Sequence, residues 1–165
     1  DEIPSMENLM GYLPRNVPPD DITCLVHGDY RLENMLFHPT EPRILALLDW
    51  ELSTLGHPFG DLAYSCGAYH FTTSGNPSLQ GICGPESGIP LESEFIEEYC
   101  RRTGRAGIPN WNFYMAFAFF RLASICQGVY KRGLMGTASS TQALEKGRLS
   151  RSISDLAWSF IENGS

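Results

Sequence analysis

Asp29, Asn34 and Asp49 are the residues of this chain whose types and spacing could do chemistry together. They lie in Val26-His27-Gly28-Asp29-Tyr30-Arg31-Leu32-Glu33-Asn34 and in Leu47-Leu48-Asp49-Trp50-Glu51, an amide five positions after the first acid and a second acid 20 positions after it. Phosphoryl transfer calls for such a set. One acid accepts or orients the proton of an attacking hydroxyl, while an amide oxygen and a second acid hold Mg2+ on the phosphates of ATP. Hard oxygen ligands suit that cation. A lone His-Gly-Asp is as readily a turn, and the offsets of Asn34 and Asp49 make it a candidate site.

Short elements must bring these residues together. Thr23 to Val26 reads as a buried strand, and Asn34 to Phe37 with Ile44 to Leu48 as a β-hairpin closed across His38-Pro39-Thr40-Glu41-Pro42. Asp29 then lies on the loop before the hairpin, Asn34 at the start of its first strand and Asp49 at the end of its second. The hairpin joins its own two ends, so Asn34 and Asp49 can converge on one metal. Leu52 to Pro58 reads as loop, a helix starts near Asp61, and Thr72 to Pro90 is expected to be irregular.

The remainder reads as helix. Leu91 to Thr103 places Phe95, Ile96, Tyr99 and Cys100 on one face, with Arg101 and Arg102 in the last turn and Gly104 as C-cap. Trp111 to Tyr130 is apolar nearly all round and is expected as the central core helix, whereas Ser140 to Glu162 repeats the pattern more weakly, as a surface helix. Residues 1–22, with Pro14, Pro18, Pro19, Asp20 and Asp21, read as the end of one element and a linker.

Four further residues are candidates for support. His27, just before the loop, reads as a positioning residue that packs and hydrogen-bonds the loop backbone. Asp61, after Gly60 at a helix start, reads first as a cap of backbone N–H groups. Glu51 is either a second acid at the metal or a solvated charge. Arg31, like Glu33, lies inside the loop, and its role stays open between substrate, phosphate and a neighbour. His57 and His70 are isolated, and the acids Glu92, Glu94, Glu97 and Glu98 read as a solvated helix face.

Composition narrows the class. Twelve Lys and Arg against nineteen Asp and Glu give a net charge of −7, which disfavours nucleic acid and anionic membrane as partners. Five cysteines, an odd number without a CxxC pair, argue against a disulfide framework or zinc site and for a reducing compartment inside the cell, the cytoplasm first, or an organelle in a eukaryote. Asn112, Arg121 and Gln127 interrupt the most apolar stretch, so no membrane span is expected there. No signal peptide is evident. The chain starts at Asp1 without Met, and a missing upstream part is expected.

The pattern HGDxxxxN, a hydrophobic run and DWE resembles the aminoglycoside-phosphotransferase-like family, relatives of the eukaryotic protein kinases. Gly28 stands where protein kinases carry Arg, and Trp50-Glu51 where they carry Phe-Gly, so control by activation-loop phosphorylation is not expected. The resemblance implies an α+β fold for residues 23–165: the C-terminal lobe of a kinase-like fold, mostly helical, with a small β-hairpin carrying the catalytic loop. It implies Asp29 as catalytic base, Asn34 and Asp49 as the residues holding Mg2+ and nucleotide, and Asp61 as a brace of the loop. The N-terminal nucleotide lobe has no counterpart here: no GxGxxG occurs and no Lys precedes Asp29. A full-length protein would then be an ATP-dependent small-molecule kinase acting on an alcohol, and this part alone inactive.

Trp50 to Ala63, Tyr99 to Gly104, Phe120-Arg121-Leu122-Ala123 and Gln127-Gly128 resemble one subgroup, found alone in bacteria or fused ahead of an acyl-CoA dehydrogenase domain. That likeness implies such a domain as a fused or associated partner, and a hydroxylated acyl chain or its CoA thioester as acceptor ahead of an antibiotic. A non-catalytic kinase-like module that binds nucleotide or a partner is the alternative, against which the intact acid and amide set argues. A metal phosphoesterase is disfavoured because His38, His57 and His70 lack ligand spacing.

Overall fold

The computed structural model describes residues 2–20, 22–71, 78–138 and 143–164. Its helices are α1 (Pro4–Tyr12), α2 (Phe59–Cys66), α3 (Glu92–Thr103), α4 (Trp111–Leu134) and α5 (Ala143–Glu162), and its strands β1 (Cys24–Val26), β2 (Met35–Phe37), β3 (Ile44–Leu47) and β4 (Thr54–Gly56). Two compact units result, one of residues 20–109 and one of residues 1–19 with 110–165.

In the 20–109 unit, β2 and β3 form the anticipated antiparallel hairpin, with Met35 opposite Leu47 and Leu36 opposite Ala46. His38 shapes its turn, accepting at Nδ1 from the N–H groups of Thr40 and Glu41 at 3.3 and 3.0 Å. The expected first strand exists but pairs elsewhere: β1 runs antiparallel to β4, Leu25 opposite Leu55. Residues 54–56 were expected to be loop, and this is a correction. Three residues are too few to show a strand period, and their register is set by a partner 30 residues upstream.

α2 starts at Phe59, slightly before the expected Asp61, and buries Phe59, Leu62, Ala63 and Cys66. α3 follows its sequence signals closely: the Glu94 carboxylate accepts from the Leu91 N–H at 2.8 Å, and Gly104 closes the helix in the left-handed region at φ 68°. The Tyr99 ring meets Phe59 edge-on at 6.2 Å, and the Arg105 guanidinium lies 5.0 Å from the Phe59 ring centre. Residues 80–90 are turns with one bridge between Gly84 and Ile89. Of the expected irregular stretch, residues 72–77 lie outside the described residues.

In the helical unit α4 and α5 pack along each other with α1 against them. Leu9 of α1 is fully buried, Ser5 donates to the Asp155 carboxylate at 2.6 Å, and Arg151 donates to the Glu2 carbonyl at 2.9 Å. α4 has the length and apolar composition of a membrane span, yet it buries a stripe: Tyr114, Met115, Ala118, Phe119 and Ala123. The all-round burial expected from its composition does not hold, since Ile125 is 50% exposed and Phe117 36%.

α5 departs from its apolar pattern as well. Ser150 and Ser154 are buried while Leu144 is exposed, because each serine satisfies its hydroxyl on its own helix, donating to Gly147 and Ser150 carbonyls at 2.9 and 2.7 Å. Small side chains there let the helices approach: a Cβ on Gly147 would overlap Tyr130. The expected start of this helix, residues 140–142, lies outside the described residues. All five cysteines are free thiols, and burial pushes the Cys66 thiol far above its usual range.

Candidate active site

The loop from His27 to Asn34 is fastened from three directions. Gly28 takes φ +82°, and a Cβ there would lie 2.5 Å from the Leu52 carbonyl oxygen, so only glycine fits this close approach. Asp61, on the first turn of α2, accepts from the backbone N–H groups of His27 and Gly28 at 2.6 and 2.9 Å. One turn on, Ser65 donates to the Tyr30 carbonyl at 2.6 Å. From below, the buried His27 ring donates through Nε2 to the Leu48 carbonyl at 2.8 Å and accepts at Nδ1 from the Asp29 N–H at 3.3 Å. These bonds select the neutral Nε2–H tautomer and tie the loop to the end of β3.

Asp29 and Asn34 form one unit. The Asn34 amide donates from Nδ2 to both the Asp29 carbonyl at 2.9 Å and the Asp29 carboxylate Oδ2 at 2.8 Å. That assignment turns the Asn34 carbonyl oxygen, Oδ1, away from Asp29 and leaves it as the atom for a cation. Arg31 approaches the same carboxylate, Nε to Oδ2 at 3.2 Å, with its side chain 48% exposed against 17% for Asp29. With Oδ2 engaged twice, Oδ1 is the Asp29 oxygen open to a substrate hydroxyl.

The hairpin delivers the second acid. The Leu48 N–H donates to the Asn34 carbonyl at 2.8 Å, so Asp49 follows directly on the residue bonded to Asn34. Asp49 holds φ 64° and ψ 57°, a left-handed conformation rarely adopted by a residue other than Gly, Asn or Asp. Its carboxylate is exposed and makes no hydrogen bond or ion pair among the described residues. Glu51, one position into the following turn, is equally exposed and unpaired among the described residues, which fits either of its readings.

Of the two readings of Asp61, the structure shows no helix cap and does show a contact with the loop. No side chain caps α2, whose N-cap residue is Pro58, and the Asp61 carboxylate reaches back to a loop 33 and 34 residues upstream. His27 bonds the Leu48 carbonyl and the Asp29 N–H through its two ring nitrogens. Two supporting residues were not among the expected ones: Ser65, which carries no sequence signal, and Trp50, known from sequence only as a letter of the DWE motif, whose ring lies 4.7 Å from His27 and whose Nε1 donates to the Leu47 carbonyl at 2.9 Å.

The other histidines serve elsewhere. His70 pairs with Glu92 at 2.8 Å, and His57 packs on Phe59 with ring centres 4.6 Å apart. Burial pushes the His57 imidazole below its ordinary value; Asp20 opposes the shift and Arg105 adds to it.

The model of the phosphotransferase enzyme family matches residues 1–115. Acyl-CoA dehydrogenase family member 10 of Mus musculus is 52% identical over 161 residues, covering 96% of this chain and 15% of that protein. Acyl-CoA dehydrogenase family member 11 of Homo sapiens is 47% identical over 141 residues, covering 84% of this chain and 18% of that one. A crystal structure from Ralstonia eutropha JMP134, of a protein described as a candidate aminoglycoside phosphotransferase, superposes with a TM-score of 0.93 at 47% identity and covers 99% of this chain and 50% of that one. The chain therefore spans under a fifth of the two mammalian relatives and half of the crystallised one.

Proposed function

Since the chain belongs to the phosphotransferase enzyme family and has its kinase-like α+β fold, we propose that it carries the catalytic loop of an ATP-dependent kinase phosphorylating a small-molecule hydroxyl. The observation that supports this reading most is the Asn34 amide, whose nitrogen fixes Asp29 and whose oxygen is thereby left for a cation.

Asn34 and Asp49 fit Mg2+. Both present oxygen, Asp49 is exposed and uncommitted, and two protein ligands suffice for a cation that keeps waters and takes substrate phosphates. When bound, Mg2+ supplies charge neutralisation on the phosphates of ATP. Asp29 Oδ1 orients the acceptor hydroxyl and takes its proton. The hydroxyl oxygen bonds to the γ-phosphorus as the bond to the β,γ-bridging oxygen breaks, and that electron pair leaves with ADP. Asp61, Ser65 and His27 keep the loop in one shape, so Asp29 does not have to be ordered at the moment of reaction.

The mammalian relatives' names support a hydroxylated acyl compound or its CoA thioester as acceptor, and an acyl-CoA dehydrogenase domain as fused or associated partner. Free thiols at all five cysteines support a reducing intracellular compartment. Residues 1–165 alone do not turn over ATP in this reading, for they contain no Gly-rich phosphate loop and no Lys before Asp29.

Full-length Asp29→Asn separates the enzyme from a non-catalytic module. It keeps the side chain's shape and removes the base, so Mg·ATP affinity by calorimetry stays near wild type, while phosphate transfer to an acceptor found by screening acyl alcohols, sugars and aminoglycosides falls about 10²–10⁴-fold. A variant as fast as wild type refutes the role of Asp29.

A further inference from the structure

We propose that His57 is a positioning residue for phosphoryl transfer: its neutral imidazole fixes the start of α2, from which Asp61 holds the catalytic loop, and acid frees that start by protonating the ring. The inference rests on the phosphoryl-transfer reading and adds a control of the loop from outside it.

His57 is the joint between β4 and α2. It follows Gly56, the last residue of β4, and stands two positions before Phe59, the first of α2. A helix start leaves N–H groups without helical partners, and Pro58 at the N-cap has no side-chain acceptor for them. The acceptors come from His57: ring Nδ1 takes the Phe59 N–H at 3.3 Å, and the carbonyl takes the Gly60 N–H at 3.1 Å. The ring also packs on Phe59, which is 1% exposed and is met by Tyr99 and Arg105 as well. Asp61 is the next residue after Gly60, and its two oxygens span the His27 and Gly28 amides at 2.6 and 2.9 Å. A displaced helix start is therefore passed directly to the loop.

Charge makes the joint conditional. An Nδ1 that accepts belongs to a neutral ring with its proton on Nε2. Protonation sets a second N–H against that of Phe59 and places a positive charge at the positive end of the α2 dipole. The charged and titratable groups around this corner are Asp20 ahead of β1, Cys24 of β1, Tyr99 of α3 and Arg105 after it. Burial disfavours the imidazolium most; Asp20 opposes that effect and the Arg105 guanidinium adds to it.

Hydrogen exchange and phosphate transfer on the full-length protein test this between about pH 7.5 and 5.5, the range in which a histidine changes charge. His57→Asn keeps an acceptor oxygen near the place of Nδ1 and does not titrate. Asp29 and His27 are the same in both proteins, so the difference between them reports His57. After correction for intrinsic exchange at each pH, protection of the His27 and Gly28 amides falls at least about tenfold on acidification in wild type and stays within about twofold in His57→Asn. The kcat for transfer to an acceptor found by the screen above falls in wild type by a similar factor relative to His57→Asn. Equal protection profiles in the two proteins overturn the role of His57, and so does altered protection with equal kcat profiles, which leaves the imidazole a part of α2 alone. His57→Phe keeps a ring and loses the acceptor, so it shows low protection across the range; full protection in it at the upper end also overturns that role. A wild type that transfers phosphate to none of the screened acceptors at any pH overturns the phosphoryl-transfer reading instead. Melting curves at each pH establish that all three proteins are folded.

Discussion

Gly28→Ala is the sharpest test of how the catalytic loop is held. The alanine methyl would stand 2.5 Å from the Leu52 carbonyl oxygen at a backbone φ of +82°. A left-handed L residue costs about 1–2 kcal/mol before any contact is counted. An ordinary carbon–oxygen contact needs nearly another ångström, and the obstacle is backbone, so the loop must retreat. Retreat pulls the Gly28 N–H from Asp61, now at 2.9 Å. A hydrogen bond to a charged carboxylate is worth about 1.5–3 kcal/mol. The expected loss is therefore about 2.5–5 kcal/mol, a large part of a domain's usual stability. Urea unfolding measures it against Gly60→Ala, where nothing lies within 4 Å and a helical alanine is expected to stabilise by up to about 1 kcal/mol. A Gly28→Ala variant within about 0.5 kcal/mol of wild type would refute the close approach.

Further outcomes follow from the same geometry. Asp61→Ala leaves the His27 and Gly28 amides without their acceptor, and hydrogen exchange at those two amides should accelerate at least about tenfold while Mg·ATP affinity in the full-length protein falls. His57 is held below its ordinary value of 6.5, so the unfolded chain binds more protons there than the folded one; this contribution to stability is present above about pH 6.5 and is lost as pH falls below it. Unfolding of His57→Gln should show a flatter pH dependence than wild type between about pH 7.5 and 5. Thiol labelling under native, non-reducing conditions should modify Cys24, Cys83 and Cys126 ahead of the buried Cys66 and Cys100, and denaturation should bring the total to five. A total of three or fewer would overturn the free-thiol assignment.

The parts legible from sequence are those written locally. The hairpin announces itself by two apolar runs around a Pro-containing turn, and α3 by its acidic start, basic end and Gly104. The relation of Asn34 to Asp29 is legible because the five-residue offset is itself the geometry. What escaped depends on partners distant along the chain. β4 is a strand only because β1 lies beside it, and Asp61 stands where a cap would stand while its partners lie on another element, so only the family resemblance pointed to its contact with the loop. Ser65 is an ordinary residue until the fold sets it against Tyr30, and Trp50 is a motif letter without a role until it lies beside His27. In α4 and α5 composition misled differently: it counts apolar residues without showing which face the neighbouring helix takes, and it hides buried serines that bond to their own turn.

The grips on the catalytic loop have a consequence for how this protein can diverge. Asp61 holds two backbone N–H groups, Ser65 a backbone carbonyl, and Asn34 the carbonyl and carboxylate of Asp29. None of them reads the side chains of Tyr30, Leu32 or Glu33. Leu32 and Glu33, both exposed, are free to drift without unfastening the loop, whereas Tyr30 meets the His27 ring edge-on at 6.1 Å and is part of the fastening. The residues that cannot drift are the fasteners, and two of them, Asp61 and Ser65, sit on α2, outside the loop they hold.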